Sequence, residues 1–512
     1  MTARVESRIG AVEARMPLVG ASFVLIAAGL LLGGIGLGRI DLDSRINFMS
    51  FGAFVYVLGL FLLVFVREKT LGLLELRLGA WFLVYGSLVF GLATVSITTR
   101  QLGSGAIVDK ASIPAALILA AFAFTAWAVG YSGGGAAIVR RFGERTFGLV
   151  ADRRSEVVRG PLFLVGIFAL GVGADIVTAV FLGRYGYLGN ATVDAVDSSA
   201  WYIQPLLVLS NLKSAALFGL AMRVFVSKKD TWWAALMPVA VVAVALSLIT
   251  GLKESFVTMA LAVGVPLLLS GGRRSILWIV VTALGFVLVV SPIVDGIRQD
   301  VTDGRGRLTV EQSLEVAAQG VVSGRYVFQP VVTDGSATTL ERLRLIDNLA
   351  LIMDKTPSDI PYRSLDEVAT APVTGLIPRL LWPDKPVRLS GYNFYVEYYE
   401  GGGSSSSAIT LPGSLYLYGG AGVVLLGMVF VGLALRMADD AAGAARRPAG
   451  ALLFLLVFNV VVKQEVDAAT FLAGLPVLLL SWIVASVCVL EPRRGLSVGT
   501  PALTHAETQS MT

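Results

Sequence analysis

The chain holds one histidine, His505, and one cysteine, Cys488. Imidazole and thiol chemistry therefore have almost nothing to work with, and serine–histidine triads, histidine bases, histidine- or cysteine-ligated metals and an internal disulfide framework are not expected. What remains is arginine, lysine and carboxylate. A guanidinium fork matches phosphate oxygens two at a time and stays charged at any relevant pH, so anion recognition would rest on individually placed arginines. The residues from Asp295 to Pro412 contain 11 basic and 15 acidic side chains, a balance that gives no broad positive field. Within it LIPRLLWPDKP, Leu376 to Pro386, sets Arg379, Trp382 and Lys385 among three prolines, which makes a stiff amphipathic segment suited to a membrane interface. Elsewhere Lys253 and Glu254 interrupt apolar sequence, and Asp175 and Lys213 fall within apolar runs, where a charge is costly enough to require a partner or a water-filled cavity. A mutual ion pair between these two is the simplest arrangement. Carboxylates that could act as bases are Asp41 and Asp43, Glu397 and Glu400, and Glu465 and Asp467.

The elements that must position these groups belong to a membrane protein. Of 512 residues 55% are hydrophobic and 15% charged, which leaves too little polar surface for a water-soluble particle. Twelve apolar runs are long enough, or nearly so, to cross the hydrocarbon layer. They are Pro17 to Gly38, Asn47 to Val66, Gly79 to Thr98, Ile113 to Val129, Pro161 to Leu182, Trp201 to Val226, Trp232 to Thr250, Phe256 to Leu269, Ile276 to Val294, Leu415 to Leu435, Gly450 to Val462 and Thr470 to Leu490. The eighth and eleventh are short and fit half-helices that turn inside the protein. No cleavable signal pattern precedes the first run, which is expected to be retained. With both termini cytoplasmic, 22 basic residues fall on the inner side and 7 in short outer loops. The excess positive charge thus lies beside the membrane, and nucleic acid is not an expected partner.

This divides the chain into a membrane bundle over 1–294 (spans one to nine), an extracytoplasmic loop subdomain over 295–412, a second membrane part over 413–490 (spans ten to twelve) and a cytoplasmic tail over 491–512. The fold class is all-α: a polytopic membrane protein of about 12 transmembrane helices with one large outer loop. That loop shows helix signals at Thr309 to Val322 and at Thr338 to Asp354, where Leu340, Leu343, Ile346, Leu349 and Met353 share one face. Such helices would lie against the bundle or the membrane interface, and the tract Gly401 to Ser407 supplies a flexible stretch before the tenth span.

LIPRLLWPDKP, followed about 25 residues later by ITLPGSLYLYGGAGVVLLGMVFVGL, resembles the late region of the O-antigen polymerase family, the Wzy-type oligosaccharide repeat unit polymerases. The match covers Leu376 to Leu433, and the layout of spans with one large late outer loop is similar too. Gly251, Leu252 and Lys253 look like a version of that family's Gly-x-Arg or Gly-x-Lys turn; its paired Arg-x10-Gly loop motifs are not found. The resemblance implies a GT-C-like bundle in the bacterial inner membrane that joins two undecaprenyl-diphosphate-linked oligosaccharides on the outer face. A sugar hydroxyl would attack the anomeric carbon and undecaprenyl diphosphate would leave, without metal or other cofactor. Arg379, Arg325, Lys253 and Lys385 are then the expected diphosphate contacts, Glu397 a carboxylate that orients or deprotonates the acceptor, and Arg363, Arg298 and Trp382 further substrate-binding residues. Membrane lipid, a flippase and a chain-length regulator are the implied partners. A flippase for the same unit is the competing class, although no similarity between halves supports it; an O-antigen ligase relative would be expected to carry a histidine in the outer loop.

The charge asymmetry predicts that single cysteines at Ser336 and Ser404, in a background lacking Cys488, react with an impermeant maleimide in intact cells, whereas Arg145→Cys reacts only after lysis. Labelling in the opposite sense would invert the topology.

Overall fold

The computed structural model describes residues 16–66, 71–95, 108–133, 154–182, 203–250, 253–270, 344–377, 390–400, 409–443, 447–462 and 464–492, with the pairs 184–185 and 188–189 and single positions that include Glu68, Trp382 and Lys385. The described chain is overwhelmingly helical. Helices α1 (Met16–Leu37) and α2 (Leu42–Phe65) form a hairpin at one edge, held closely by Gly29 against Gly52. Helix α3 (Leu78–Phe90) ends at Gly91, and α4 (Ile113–Gly133) packs along α13 (Gly420–Ala442), where Gly130 and Gly432 let the two backbones touch. Small residues at the contact are what permit such approach when no hydrophobic force drives helices together.

A second group comprises α5 (Pro161–Leu182), α6 (Ile203–Phe225), α7 (Trp233–Ile249) and α8 (Lys253–Leu269), with α6 also against α15 (Ala468–Val489). Between α8 and α13 lie the short helices α9 (Ile346–Lys355), α10 (Asp366–Leu376), α11 (Ser390–Tyr399) and α12 (Leu411–Leu417); α14 (Pro448–Val461) precedes α15. Strands β1 (Arg154–Val158) and β4 (Leu490–Pro492) pair antiparallel, while β2 (Arg184–Tyr185) and β3 (Leu188–Gly189) form a minimal hairpin.

Eight helices among the described residues are long and apolar enough to cross a membrane. Two shorter apolar elements, Leu78–Thr94 and Pro448–Val461, fall where spans three and eleven are expected. The tenth span is broken: α12 stops and α13 begins across Gly419 and Gly420, both at positive φ. Most of the ninth, Ile276 to Val294, and the helix expected at Thr309 to Val322 lie outside the described residues. Helix α9 covers the second half of the segment Thr338 to Asp354 and ends one residue past it, and its Ile346, Leu349 and Ile352 are buried.

Charged clusters close the bundle at both ends. At one, Asp439 accepts from the backbone N–H groups of Leu78 and Gly79 at 2.8 and 3.0 Å and from the Tyr131 hydroxyl at 2.8 Å. It thereby occupies the N-terminus of α3, whose first donors have no partner within the helix. Arg77 bridges Glu68 and Asp440, and Arg436 pairs with Asp440 while lying over the Tyr131 ring. At the other end Asp467, 5% exposed, caps α15 through the Thr470 N–H and accepts from the Ser414 hydroxyl. Asp439→Ala should cost about 1–3 kcal/mol by stranding these donors. Thermal unfolding in detergent should show a lower Tm for Asp439→Ala than for Asp439→Asn, whose amide oxygen still accepts; equal Tm values for wild type and both variants would remove Asp439 from the scaffold.

Candidate functional site

At the Asp467 end, polar groups gather around the break between α12 and α13. The break exists because Gly419 and Gly420 adopt φ of 153° and 69°. A side chain at Gly420 would come within 2.9 Å of the Tyr362 hydroxyl. The interruption frees carbonyls, and the Leu417 carbonyl is taken up by the Arg363 backbone N–H at 2.8 Å. Arg363 therefore enters the site by its backbone as well as by its side chain.

Its guanidinium donates to Glu397 at 2.7 Å, joining the segment before α10 to α11. Burial works against the Arg363 charge, but the hydrogen bond and charge of Glu397 outweigh it and raise its pKa. Beside it the Tyr418 hydroxyl donates to Glu367 at 3.3 Å. Tyr362 and Tyr416 lie with ring centroids 6.3 Å apart. On α11, Tyr395 stacks on Tyr399, while Tyr398 meets the Thr356 hydroxyl. With Tyr398, Tyr399 and Tyr418 buried behind them, the accessible rings of Tyr362, Tyr395 and Tyr416, the carboxylates and Arg363 make a surface suited to hydroxyl-rich ligands with apolar faces, since a ring presents a flat apolar body and the polar groups fix orientation.

A separate cavity of about 350 Å³ lies between α5, α6, α7 and α8. Lys213, Asn211, Ser214, Ser247, Thr250, Glu254, Ser255 and Thr258 supply its polar lining, with Phe168, Leu217 and Met259 among its apolar walls. Lys213 is paired with Asp175, as the cost of two isolated charges within apolar helices requires. Asn211 reaches Ser481 on α15, and Asn459 on α14 meets Thr258.

The structure brings Arg363 and Glu397 into direct contact, and it places Lys253 as the first residue of α8, next to the cavity-lining Glu254. Lys385 donates from Nζ to the Ile377 carbonyl at 3.1 Å, at the end of α10, and its backbone N–H bonds the Trp382 carbonyl. Arg379, Arg325 and Arg298 lie outside the described residues. Of the other carboxylates, Asp41 caps α2, Asp43 pairs with Lys110, Glu400 pairs with Lys355 and Glu465 accepts from Tyr85. Tyr418, Tyr416, Glu367 and Ser414 were not singled out from sequence. Three of them lie in or beside the ITLPGSLYLYGG run; Glu367 carries no signal beyond its place in the first turn of a helix.

Residues 185–444 match a family described as Domain of unknown function (DUF8712). That is just over half of the chain. The chain belongs to this family. The DUF8712 region spans α6 to α13 and so contains Arg363, Glu397, Glu367 and Tyr418, with Lys213 and Glu254 of the cavity; Asp175 and Asp467 lie outside it. No curated protein and no solved structure matches the chain.

The geometry at Gly420 gives a test of the break. Gly420→Ala should destabilise by about 1–2 kcal/mol for the left-handed backbone, with a further loss from the Tyr362 contact. In thermal unfolding, Tyr362→Phe in the Gly420→Ala background should recover part of the lost Tm but not all of it. A Gly420→Ala protein as stable as wild type would mean that the break has another geometry.

Proposed function

We propose that this member of the DUF8712 family is a membrane glycosyltransferase that polymerises undecaprenyl-diphosphate-linked oligosaccharide units on the outer face of the bacterial inner membrane. The observation that carries the reading is the Arg363–Glu397 pair set among tyrosines and carboxylates at a helix break, at one end of an apolar bundle. A substrate that is lipid at one end and sugar at the other needs such a pairing of membrane and polar platform. The similarity of Leu376 to Leu433 to O-antigen polymerases supports the same reading, as does the expected arrangement of twelve spans with both termini cytoplasmic.

In this mechanism a sugar hydroxyl of one unit attacks the anomeric carbon of the other, the bond to the diphosphate oxygen breaks, and the diphosphate leaves with the bonding pair. Glu397 is the carboxylate placed to orient or accept the hydroxyl proton. Arg363 has five donors, so it can hold Glu397 with one edge and a sugar or phosphate oxygen with another. Arg379 and Arg325, from the resemblance, stand as the cations that meet the developing charge on the leaving group, with Lys253, Lys385, Arg298 and Trp382 as further contacts. Flippase and chain-length regulator proteins are the partners this activity implies.

One observation favours a transporter instead: a polar cavity with an ion pair among membrane-spanning helices is where carriers hold cargo. The two readings separate in detergent, where flipping has no meaning. Purified protein given single lipid-linked units should build ladders. Arg379→Ala and Arg363→Ala should each slow the transfer roughly 30-fold to 1000-fold, with the Lys variants between, because a charge-assisted contact in a dry site is worth about 2–4 kcal/mol. Lys355→Ala should leave the rate unchanged. Wild-type protein that makes no ladder yet moves labelled units across liposomes would establish the transporter.

A further inference from the structure

Helix α10 has the wrong surface for water. Its first half carries Asp366, Glu367 and Thr370, while its second half, APVTGLI from Ala371 to Ile377, has no charge. Leu365, Val373 and Leu376 fall within one wedge of the helix and are 53%, 58% and 66% exposed, and Leu381 just beyond is 76% exposed. The opposite wedge is small and buried: Ala371 packs with Ala469 and Tyr418, and a Cβ on Gly375 would run into the Ala473 carbonyl. Ala371 with Ala469 and Gly375 with Ala473 keep the same four-residue step, so α10 and α15 run side by side in the same direction. Glu367, bonded to Tyr418, marks the shared starting end.

Helix α15 is long and apolar enough to cross the membrane. Ala473 lies five residues into it, so Gly375 sits about 7 Å below the start of α15, and the chain continues inward from there. Flanking α10 are α13, which contributes Val423 to the same cluster and exposes Leu426 and Phe430, and α15, which exposes Leu480 and Ile483. The apolar face of α10 is therefore continuous with surfaces of the bundle that contact lipid. Its far end is also finished as membrane depth demands, where water cannot serve stray polar groups. The Ile377 N–H closes on the Val373 carbonyl at 3.3 Å, Thr374 returns its hydroxyl to the Ala371 carbonyl at 2.9 Å, and the Lys385 ammonium takes the Ile377 carbonyl.

We propose that α10 is a re-entrant element seated lengthwise in the bilayer, with Leu365, Val373, Leu376 and, just beyond, Leu381 against acyl chains. It would bring Trp382 and Lys385 below the membrane surface rather than onto it.

Nitroxides placed singly at Val373, Leu376, Asp359 and Leu480, in a Cys488→Ser protein reconstituted in phosphatidylcholine–phosphatidylglycerol liposomes, test this by collision with oxygen and with a water-soluble nickel chelate. Asp359, exposed ahead of α10, is the aqueous reference and Leu480 the lipid reference. The oxygen-to-nickel ratio should rise from Asp359 through Val373 to Leu376, toward the higher value at the deeper Leu480. A ratio at Leu376 equal to that at Asp359 overturns the proposal. Where a labelled variant aggregates, the same cysteine in unlabelled membranes decides by charged maleimide: protection at Leu376 supports insertion, and reaction as fast as at Asp359 overturns it.

Discussion

Inside a hydrocarbon layer every backbone N–H and C=O must find its partner within the protein, and this constraint organises the molecule wherever a helix stops short. Helix α14 has 14 residues and covers about 21 Å, less than the layer's thickness, so the turn after it lies within the bundle. Two of its polar groups are met internally: the Nε2 of Gln464, fully buried, donates to the Phe82 carbonyl, and the Gln464 backbone carbonyl accepts the Leu411 N–H. Asp467 then caps α15 and holds Ser414 of α12, while Asp439 does the same service for α3 at the opposite end. Side chains from distant parts of the chain thus replace the water that would finish these helices in a soluble protein.

The same requirement explains why the candidate site lies where it does. A break in a membrane helix exposes carbonyls that attract donors, and once donors gather, carboxylates follow to balance them. At Gly419–Gly420 the Leu417 carbonyl draws the Arg363 backbone, Arg363 draws Glu397, and Tyr418 draws Glu367. Structural completion and the potential for chemistry come from one set of residues, which is why the break and the polar platform coincide.

How much of this is legible in the sequence depends on the range of the interaction. Helices lie at eleven of the twelve expected runs, eight of these helices being long and apolar enough to cross a membrane, and the eighth and eleventh runs, short in sequence, hold the short α8 and α14. The Asp175–Lys213 pair follows from the cost of charge alone. Local hydropathy does not show that α3 ends at Gly91, seven residues before the run Gly79 to Thr98 does, because the residues beyond are still apolar. Nor does it show that α10 lies along α15, since Gly375 and Ala473 are joined only by the folded chain. The site was legible in its parts, Arg363 and Glu397, but not in its assembly: their pairing spans 34 residues, and Tyr418–Glu367 spans 51.

The described cations of the large loop also differ in what they could offer a ligand. Arg344 is committed to Asp347, Lys355 to Glu400 and the Tyr398 carbonyl, Lys385 to the Ile377 carbonyl, and Arg363 to Glu397. The Lys385 ammonium has three donors and can meet a phosphate while it caps the Ile377 carbonyl, but only as a point charge, without the planar two-point match of a guanidinium. Arg344 is 9% exposed and faces a carboxylate that is 2% exposed; drawing it away would strand Asp347, whose burial already raises its pKa against the pull of Arg344. Arg363 escapes both limits. Its side chain is 19% exposed, Glu397 is 42% exposed and can re-solvate, and the planar fork keeps donors on more than one edge. Among these four cations it is the one that can share itself between the fold and a ligand.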